Sequence, residues 1–511
     1  MIDTLTILDF HIKPRSSGRY AVEIYRRDSS ELLAAAEFDY DLSYMTEFRI
    51  NQLDYGVGDP VERLGRLTEF GQSLYKKLFS PEIERVWCEL NESNSFLVLC
   101  LRIDPQAVGL EALPWETLFD GEEFIAAGAM TGLSRLPLDI APPPDLPAVA
   151  PPLKMLALVS SPLDLGDGHR LQIEREQEIL LQAVNAPAGQ GRLQLDLEDE
   201  AKLDILESSL DSGQGGYQIF HFTGHGYFSP EESGLLLEDA EGKALEVSTA
   251  EILRSLRKGG GALRLAVISG CQTARTRHVA GFRDLARGLA HQNVPAVVAM
   301  QFSISDPGAI RFAEVFYPKL VDGHPLEPTM SAARRALLHG NDPEWRADAL
   351  APVLITSNGN CLRAAETQAP GPKIQPAIDF SFHLPLAQLD FGFYGRRREY
   401  RRIRDGLINQ NHRAVIIHGI GGIGKTALIS SAASRLRRRF RGVYAFDCSS
   451  GTLAPERILL DLHRYFERQG IKALEPLIHQ FHAAGGAGEL PGSSPDSMAG
   501  AADPRQFRDS S

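Results

Sequence analysis

Two apolar runs constrain this chain more than any other feature. The first is Tyr217-Gln218-Ile219-Phe220-His221-Phe222-Thr223-Gly224-His225-Gly226, and the second is Leu265-Ala266-Val267-Ile268-Ser269-Gly270-Cys271-Gln272-Thr273-Ala274. Each stops in glycine beside one reactive side chain. A buried parallel strand delivers a group to the mouth of an α/β sheet in this way. An imidazole and a thiol together are the parts of a cysteine nucleophile with its base. The imidazole takes the thiol proton, and the imidazolium then stabilises the thiolate. Backbone amides must hold the oxyanion that forms on the attacked carbonyl. Cys271 is therefore the candidate nucleophile, His225 the candidate base and acid, and the amides of Gly226 and Cys271 the candidate oxyanion donors. On the residues alone a second reading stays open. A cysteine closing a strand can be a small buried hydrophobe, and a histidine in an apolar run a hydrogen-bonded core residue. His221 is a rival base, since four residues along a strand returns to the same face. Its place inside the apolar run reads as core or support.

The surrounding sequence has the rhythm of a mainly parallel sheet with helices on both faces. Residues 153–363 alternate strands (153–160, 193–197, the His run, the Cys run, 296–302, 353–356) with helices (171–183, 201–210, 282–291, 307–320, 329–338). A hairpin, 235–239 with 244–247, is inserted after the His run, and Ser248-Thr249-Ala250-Glu251 has the capping-box pattern of a helix start. Residues 1–136 read as a β-rich lobe with one amphipathic helix at 60–79, and Trp115 in Leu113-Pro114-Trp115-Glu116 reads as a core anchor. Residues 137–152 carry seven prolines and form a linker. A second linker spans 364–390. It precedes a partial P-loop α/β segment over 391–482 and a low-complexity tail at 483–511 that reads as disordered.

His-Phe-Thr-Gly-His-Gly followed by Ser-Gly-Cys-Gln-Thr-Ala resembles the CHAT peptidases, relatives of caspases and separases. Leu113-Pro114-Trp115-Glu116, Pro295-Ala296-Val297-Val298-Ala299, Asp306 and Phe316-Tyr317 are also similar to that family. The resemblance implies a caspase-like fold, with the first lobe as a pseudo-caspase half packed against the catalytic half, and it implies His225 as the base. It also implies that the loop after strand 296–302 helps form the substrate pocket, which makes Gln301, Ser303 and Asp306 candidates. Gln301-Phe302-Ser303 stands where relatives often carry Ser-Leu-Trp, so a substrate preference does not carry over. Asp306 is open to two roles: an acidic pocket for Arg or Lys, or a cap for the helix beginning at Pro307.

Gly419-Ile420-Gly421-Gly422-Ile423-Gly424-Lys425-Thr426 matches the phosphate-loop pattern, with an apolar strand expected at 415–418 and a helix after it. Amides around Gly419, Gly421, Gly422 and Gly424 would cradle the phosphates of ATP or ADP. Lys425 would neutralise them and Thr426 would hold Mg²⁺. Tyr394-Gly395-Arg396-Arg397-Arg398-Glu399 upstream resembles the opening of STAND-type ATPases. No apolar strand ending in paired acids follows the loop, so the ATPase reads as cut short, and the tail as a truncation or frameshift product. The arginines at 396–398 and 435–441 read as a solvated helix face.

A formal charge of −13 argues against a general nucleic-acid binder. Five scattered cysteines fit free thiols in a reducing, cytoplasmic setting, with no zinc-ligand spacing. No apolar run approaches the roughly 20 residues needed to span a bilayer. The expected function is a cysteine endopeptidase that needs no cofactor for proteolysis and cleaves a protein partner. A STAND-like switch, through which the chain could oligomerise, would control it. By resemblance the setting is bacterial cell death or phage defence, with a gasdermin-like pore-former as a possible substrate. The alternatives are a non-catalytic scaffold of the same fold and a nucleotide-dependent signalling switch.

Overall fold

The computed structural model describes residues 5–41, 53, 59–91, 95–142, 146–165, 180, 184, 192–198, 200–211, 216–229, 232–259, 261–270, 279–302, 304–363, 396–409, 412–436, 458–460 and 462–464. Two compact units divide the chain, one of Met1–Ile374 with Phe391–Asp405 and one of Gln375–Asp390 with Gly406–Ser511.

The first unit begins with strands β1 (Leu5–Ser16), β2 (Arg19–Arg26) and β3 (Glu31–Asp39), an antiparallel meander. Helix α1 (Pro60–Leu78) follows. Asp59 caps it by accepting from the Val61 amide at 2.8 Å, and Pro60 sits in the first turn where its missing N–H costs nothing. A second helix, α2 (Pro81–Asn91), was not expected from the sequence. Pro81 restarts the chain, the Ser80 hydroxyl accepts from the Ile83 amide at 3.3 Å, and Ile83, Val86 and Trp87 bury one face. Strands β4 (Phe96–Ile103) and β5 (Thr131–Arg135) complete the lobe and run parallel to β1 and to each other.

The remaining strands are β6 (Leu153–Val159), β7 (Leu193–Glu198), β8 (Ile219–Phe228), β9 (Ser233–Glu238), β10 (Ala244–Ser248), β11 (Leu265–Gly270), β12 (Ala296–Met300) and β13 (Pro352–Thr356). Between them lie α3 (Leu203–Asp211), α4 (Thr249–Arg257), α5 (Val279–His291), α6 (Asp306–Val321), α7 (Leu326–Leu338) and the short α8 (Pro343–Asp348). The expected capping box opens α4: the Ser248 hydroxyl accepts from the Glu251 amide, and the Glu251 carboxylate accepts from the Ser248 amide. One mostly parallel sheet, in the order β10-β9-β8-β11-β12-β13-β5-β4-β1-β2-β3 with β6 and β7 branching from β8, runs through both halves. The bridge between β13 and β5 joins them. The period-two alternation of the strands sorts side chains into two cores. Ile219, Leu265 and Val267 enter the core under α6 and α7. Phe220, Phe222, Ala266 and Ile268 enter the core under α4 and α5. Helices thus cover both faces, as the sequence rhythm implied.

The helix expected at 171–183, apart from residue 180, and the 364–390 linker lie outside the described residues, as do the 483–511 tail and most of the 437–482 segment. Helix α9 (Arg397–Arg404) belongs to the first unit. In the second unit, α10 (Lys425–Leu436) follows the phosphate-loop sequence as expected. The strand expected at 415–418 is not formed: residues 414–420 pair with no strand, and Ile416 is 86% exposed. An isolated apolar segment cannot become a strand without a neighbour to take its backbone groups, and none stands beside it among the described residues.

Candidate active site

β8 and β11 are parallel neighbours, and their register runs from Ile219 opposite Leu265 to Gly224 opposite Gly270. His225 is the next residue after the first glycine, and Cys271 the next after the second. β11 ends at Gly270, and Cys271 itself lies outside the described residues. β8 does not stop at its glycine, as the sequence suggested. It continues to Phe228 and changes partner at the histidine, pairing with β6 up to Thr223, with β11 up to Gly224 and with β9 from His225 onward. Gly224 permits this crossing, because a Cβ there would lie 2.7 Å from the Phe222 ring and 2.8 Å from Ser160. His225 is buried, and Gly226 stands opposite Leu235 of β9.

His221 and Thr223 share the α6 face with Val267 and Ser269, and together with Met300 and Tyr317 they line a small cavity. The Tyr317 hydroxyl lies 2.5 Å from His221 Nδ1, and the Thr223 hydroxyl 2.8 Å from His221 Nε2. Burial lowers the His221 pKa to about 3, so the ring is neutral. A neutral imidazole offers one donor and one acceptor, and the two hydroxyls take the complementary roles. His221 is thus committed to the core network, the supporting role the sequence favoured. Tyr317 explains the Phe316-Tyr317 pair noted in the sequence.

The segment after β12 is held from two directions. Arg135 donates to Gln301 Oε1 at 3.0 Å, and Gln301 Nε2 donates to the Leu350 carbonyl at 2.7 Å. Arg135 is in turn paired with the fully buried Glu116 and donates to the Leu113 carbonyl. Trp115 is a core anchor as expected, wholly buried with Nε1 donating to the Leu110 carbonyl at 2.8 Å. A few residues further on, Asp348 accepts from the Ser305 amide at 2.9 Å and from Arg63 of α1 at 2.8 Å. Burial raises the Asp348 pKa, and Arg63 opposes that shift. Asp306 does not cap α6. The cap is Ser305, whose hydroxyl accepts from the Gly308 amide at 3.1 Å, and Asp306 is the first helical residue. Ser303 lies outside the described residues. Beside Gln301, a cavity with mostly apolar walls, among them Leu101, Leu136 and Ala299, also meets Arg135, Glu111 and Asp284.

The ion-pair cluster on α9 has no signature in the local sequence. Arg401 pairs with Glu238 and, at 3.1 Å, with Glu200; Arg404 also pairs with Glu200, and Lys202 reaches it at 3.2 Å. Both carboxylates are buried, and Glu238 also accepts from the Ser161 amide at 2.8 Å. Glu238 closes β9, the strand paired with the His225 end of β8. At the phosphate-loop sequence, Gly422 and Gly424 have φ of 76° and 90°, which only glycine takes without strain. Lys425 donates to the Gly419 and Ile420 carbonyls at 3.0 and 2.9 Å. No group of three metal-ligating side chains occurs among the described residues, and none of their helices is long and apolar enough to cross a membrane.

Compared with known proteins, residues 68–384 match the family model of the CHAT domain. Among solved structures, the chain is similar to the Arg-specific cysteine proteinase gingipain R at 9% identity and a TM-score of 0.35, over 63% of this chain and 75% of that one. No curated protein matches the chain.

Proposed function

The chain belongs to the CHAT domain family, and on that footing we propose that it is a cysteine endopeptidase working through Cys271 and His225. The observation that carries the reading is the β8–β11 register, in which the last paired residues, Gly224 and Gly270, immediately precede His225 and Cys271. In the proposed reaction, the imidazole of His225 accepts the Cys271 proton and the thiolate adds to the scissile carbonyl. The amides of Gly226 and Cys271 stabilise the resulting oxyanion. The imidazolium then protonates the leaving amine as the carbon–nitrogen bond breaks, which leaves a thioester. Water, deprotonated by the same imidazole, hydrolyses the thioester and restores the thiol.

The substrate is a protein partner, and a gasdermin-like pore-former in bacterial cell death or phage defence fits by analogy with the family. Control by ATP or ADP at Gly419–Thr426, in a STAND-like manner, belongs to the same proposal. One observation supports it: the left-handed glycines of that loop. Peptide-library profiling of purified wild type and Cys271→Ala tests the peptidase reading. Cleavage by wild type alone is the expected result, and identical inactivity of both across the library and with partner proteins refutes it. Titration of labelled ATP against wild type and Lys425→Ala tests the switch, which fails if neither protein binds.

A further inference from the structure

Away from the strands that carry His225 and lead to Cys271, a third cavity opens to solvent. Pro328, Thr329, Ala332 and Arg335 line it from one face of α7, at the spacing of successive helical turns. Lys319, from the last turn of α6, and His324, from the α6–α7 connection, line it from the other side, and Phe96 of β4 is an apolar wall. Three basic side chains therefore meet in one concavity, with no carboxylate among the residues that line it. Lys319 and His324 have no ion pair among the described residues. Arg335 donates to the Gly128 carbonyl at 2.7 Å, and Glu123 is the nearby carboxylate that feels its charge. Thr329 is 1% exposed, and its hydroxyl has no hydrogen-bond partner among the described residues.

An unpaired buried hydroxyl is costly in a folded protein, and like charges gathered in one cavity repel. A ligand bearing several anionic oxygens relieves both. It accepts from Thr329, Arg335 and His324, offsets the charge of Lys319, and turns its less polar body to Phe96 and Pro328. We propose that this site binds a phosphate group carried on a small organic molecule, at a place separate from both the peptidase centre and the phosphate-loop sequence.

Phosphorus NMR and calorimetric titrations of the full-length chain test the site with inorganic phosphate and with adenosine monophosphate. Both are run in a Lys425→Ala background so that the phosphate loop does not contribute. Saturable binding is expected, and Lys319→Gln should weaken it about tenfold, the loss of one charge-assisted contact. Thr329→Val is the sharper variant. It removes the hydroxyl at nearly constant shape, so the unliganded protein should melt at or above the wild-type temperature while phosphate affinity falls about five- to tenfold. Equal affinity for the two probes assigns recognition to the phosphate group, and tighter binding of the nucleotide adds the Phe96 wall. The proposal is overturned if neither probe binds saturably up to about 10 mM, or if Lys319→Gln and Thr329→Val bind as wild type does.

Discussion

Replacing Arg401 with methionine should destabilise the first unit strongly, although the residue lies on one of the most arginine-rich helices in the chain. Methionine keeps the length and apolar stem of the side chain, so the change isolates the charge. After it, Glu200 still faces Arg404 and Lys202. Glu238 keeps the Ser161 amide but loses the cation that neutralises it at a site where the side chain has no exposure. Removing one partner of a buried pair costs about 3–5 kcal/mol, because the other charge remains desolvated. The surviving amide bond sets the expectation at the lower end, about 3 kcal/mol. Unfolding entropy is about 2.1 cal/mol/K per residue, so in a unit of roughly 400 residues that loss lowers Tm by about 4 °C. Differential scanning calorimetry of Arg401→Met, Glu238→Gln and the double variant measures it. The double variant should recover part of the loss, with a coupling of about 1–3 kcal/mol. A melt of Arg401→Met within 1 °C of wild type, or additive losses, would refute the reasoning.

Three further outcomes follow from the structure. At pH 6, iodoacetamide should label Cys271 about 100-fold faster than the exposed Cys88, since an ordinary thiol is almost wholly protonated there; burial pushes Cys100 up to about 11 and Cys361 up to about 12, so both should stay unlabelled, and equal rates at Cys271 and Cys88 by mass spectrometry would sink the nucleophile assignment. His221 is held neutral by burial down to about pH 3, whereas the unfolded chain binds the proton near 6.5, so stability should fall with pH through that window by about 1.4 kcal/mol per pH unit more in wild type than in His221→Gln, and parallel slopes in denaturant titrations would contradict it. Asp348→Ala should cost about 3–5 kcal/mol by leaving Arg63 uncompensated and should speed hydrogen exchange at the Ser305 amide, and unchanged exchange there would show that Asp348 does not order that segment.

The strands and long helices were legible because each writes its own period into contiguous residues. The run from Phe220 to Gly224 announces a buried strand, and Ser248 with Glu251 announces a helix start, without reference to anything distant. The misreadings share one cause, a partner remote in sequence. Arg401 carries no local sign of its burial because its partners Glu200 and Glu238 lie far upstream. Residues 415–418 look like a strand because their composition is apolar, yet a strand exists only where a neighbour takes its backbone groups. The His run was expected to end at glycine, but β9 is there to pair with it from His225 on. Of the two roles open to Asp306, the cap is taken by its neighbour Ser305, an equally good capping residue. The Ser305 amide is fixed by Asp348, and that leaves the Ser305 hydroxyl to cap.

The same remoteness gives the first lobe its role. A β-rich lobe could adhere to the half that carries β8 and β11 through apolar contact alone, and burying charged groups between them is no more stabilising than a well-packed apolar seam. What charged groups add is direction. Arg135 spans from Glu116 to the Gln301 amide, and Arg63 spans from the Leu53 carbonyl to Asp348, which holds the Ser305 amide. Each fork of donors accepts one geometry, whereas an apolar contact tolerates sliding. The segment from Gln301 to Ser305, next to the strand beside β11, therefore has its two ends fixed by side chains that the first lobe supplies. A family resemblance that implies a substrate pocket in that segment also explains why Leu113-Pro114-Trp115-Glu116 belongs to the same signature. Trp115 locks the turn, the turn presents Glu116, and Glu116 aims Arg135.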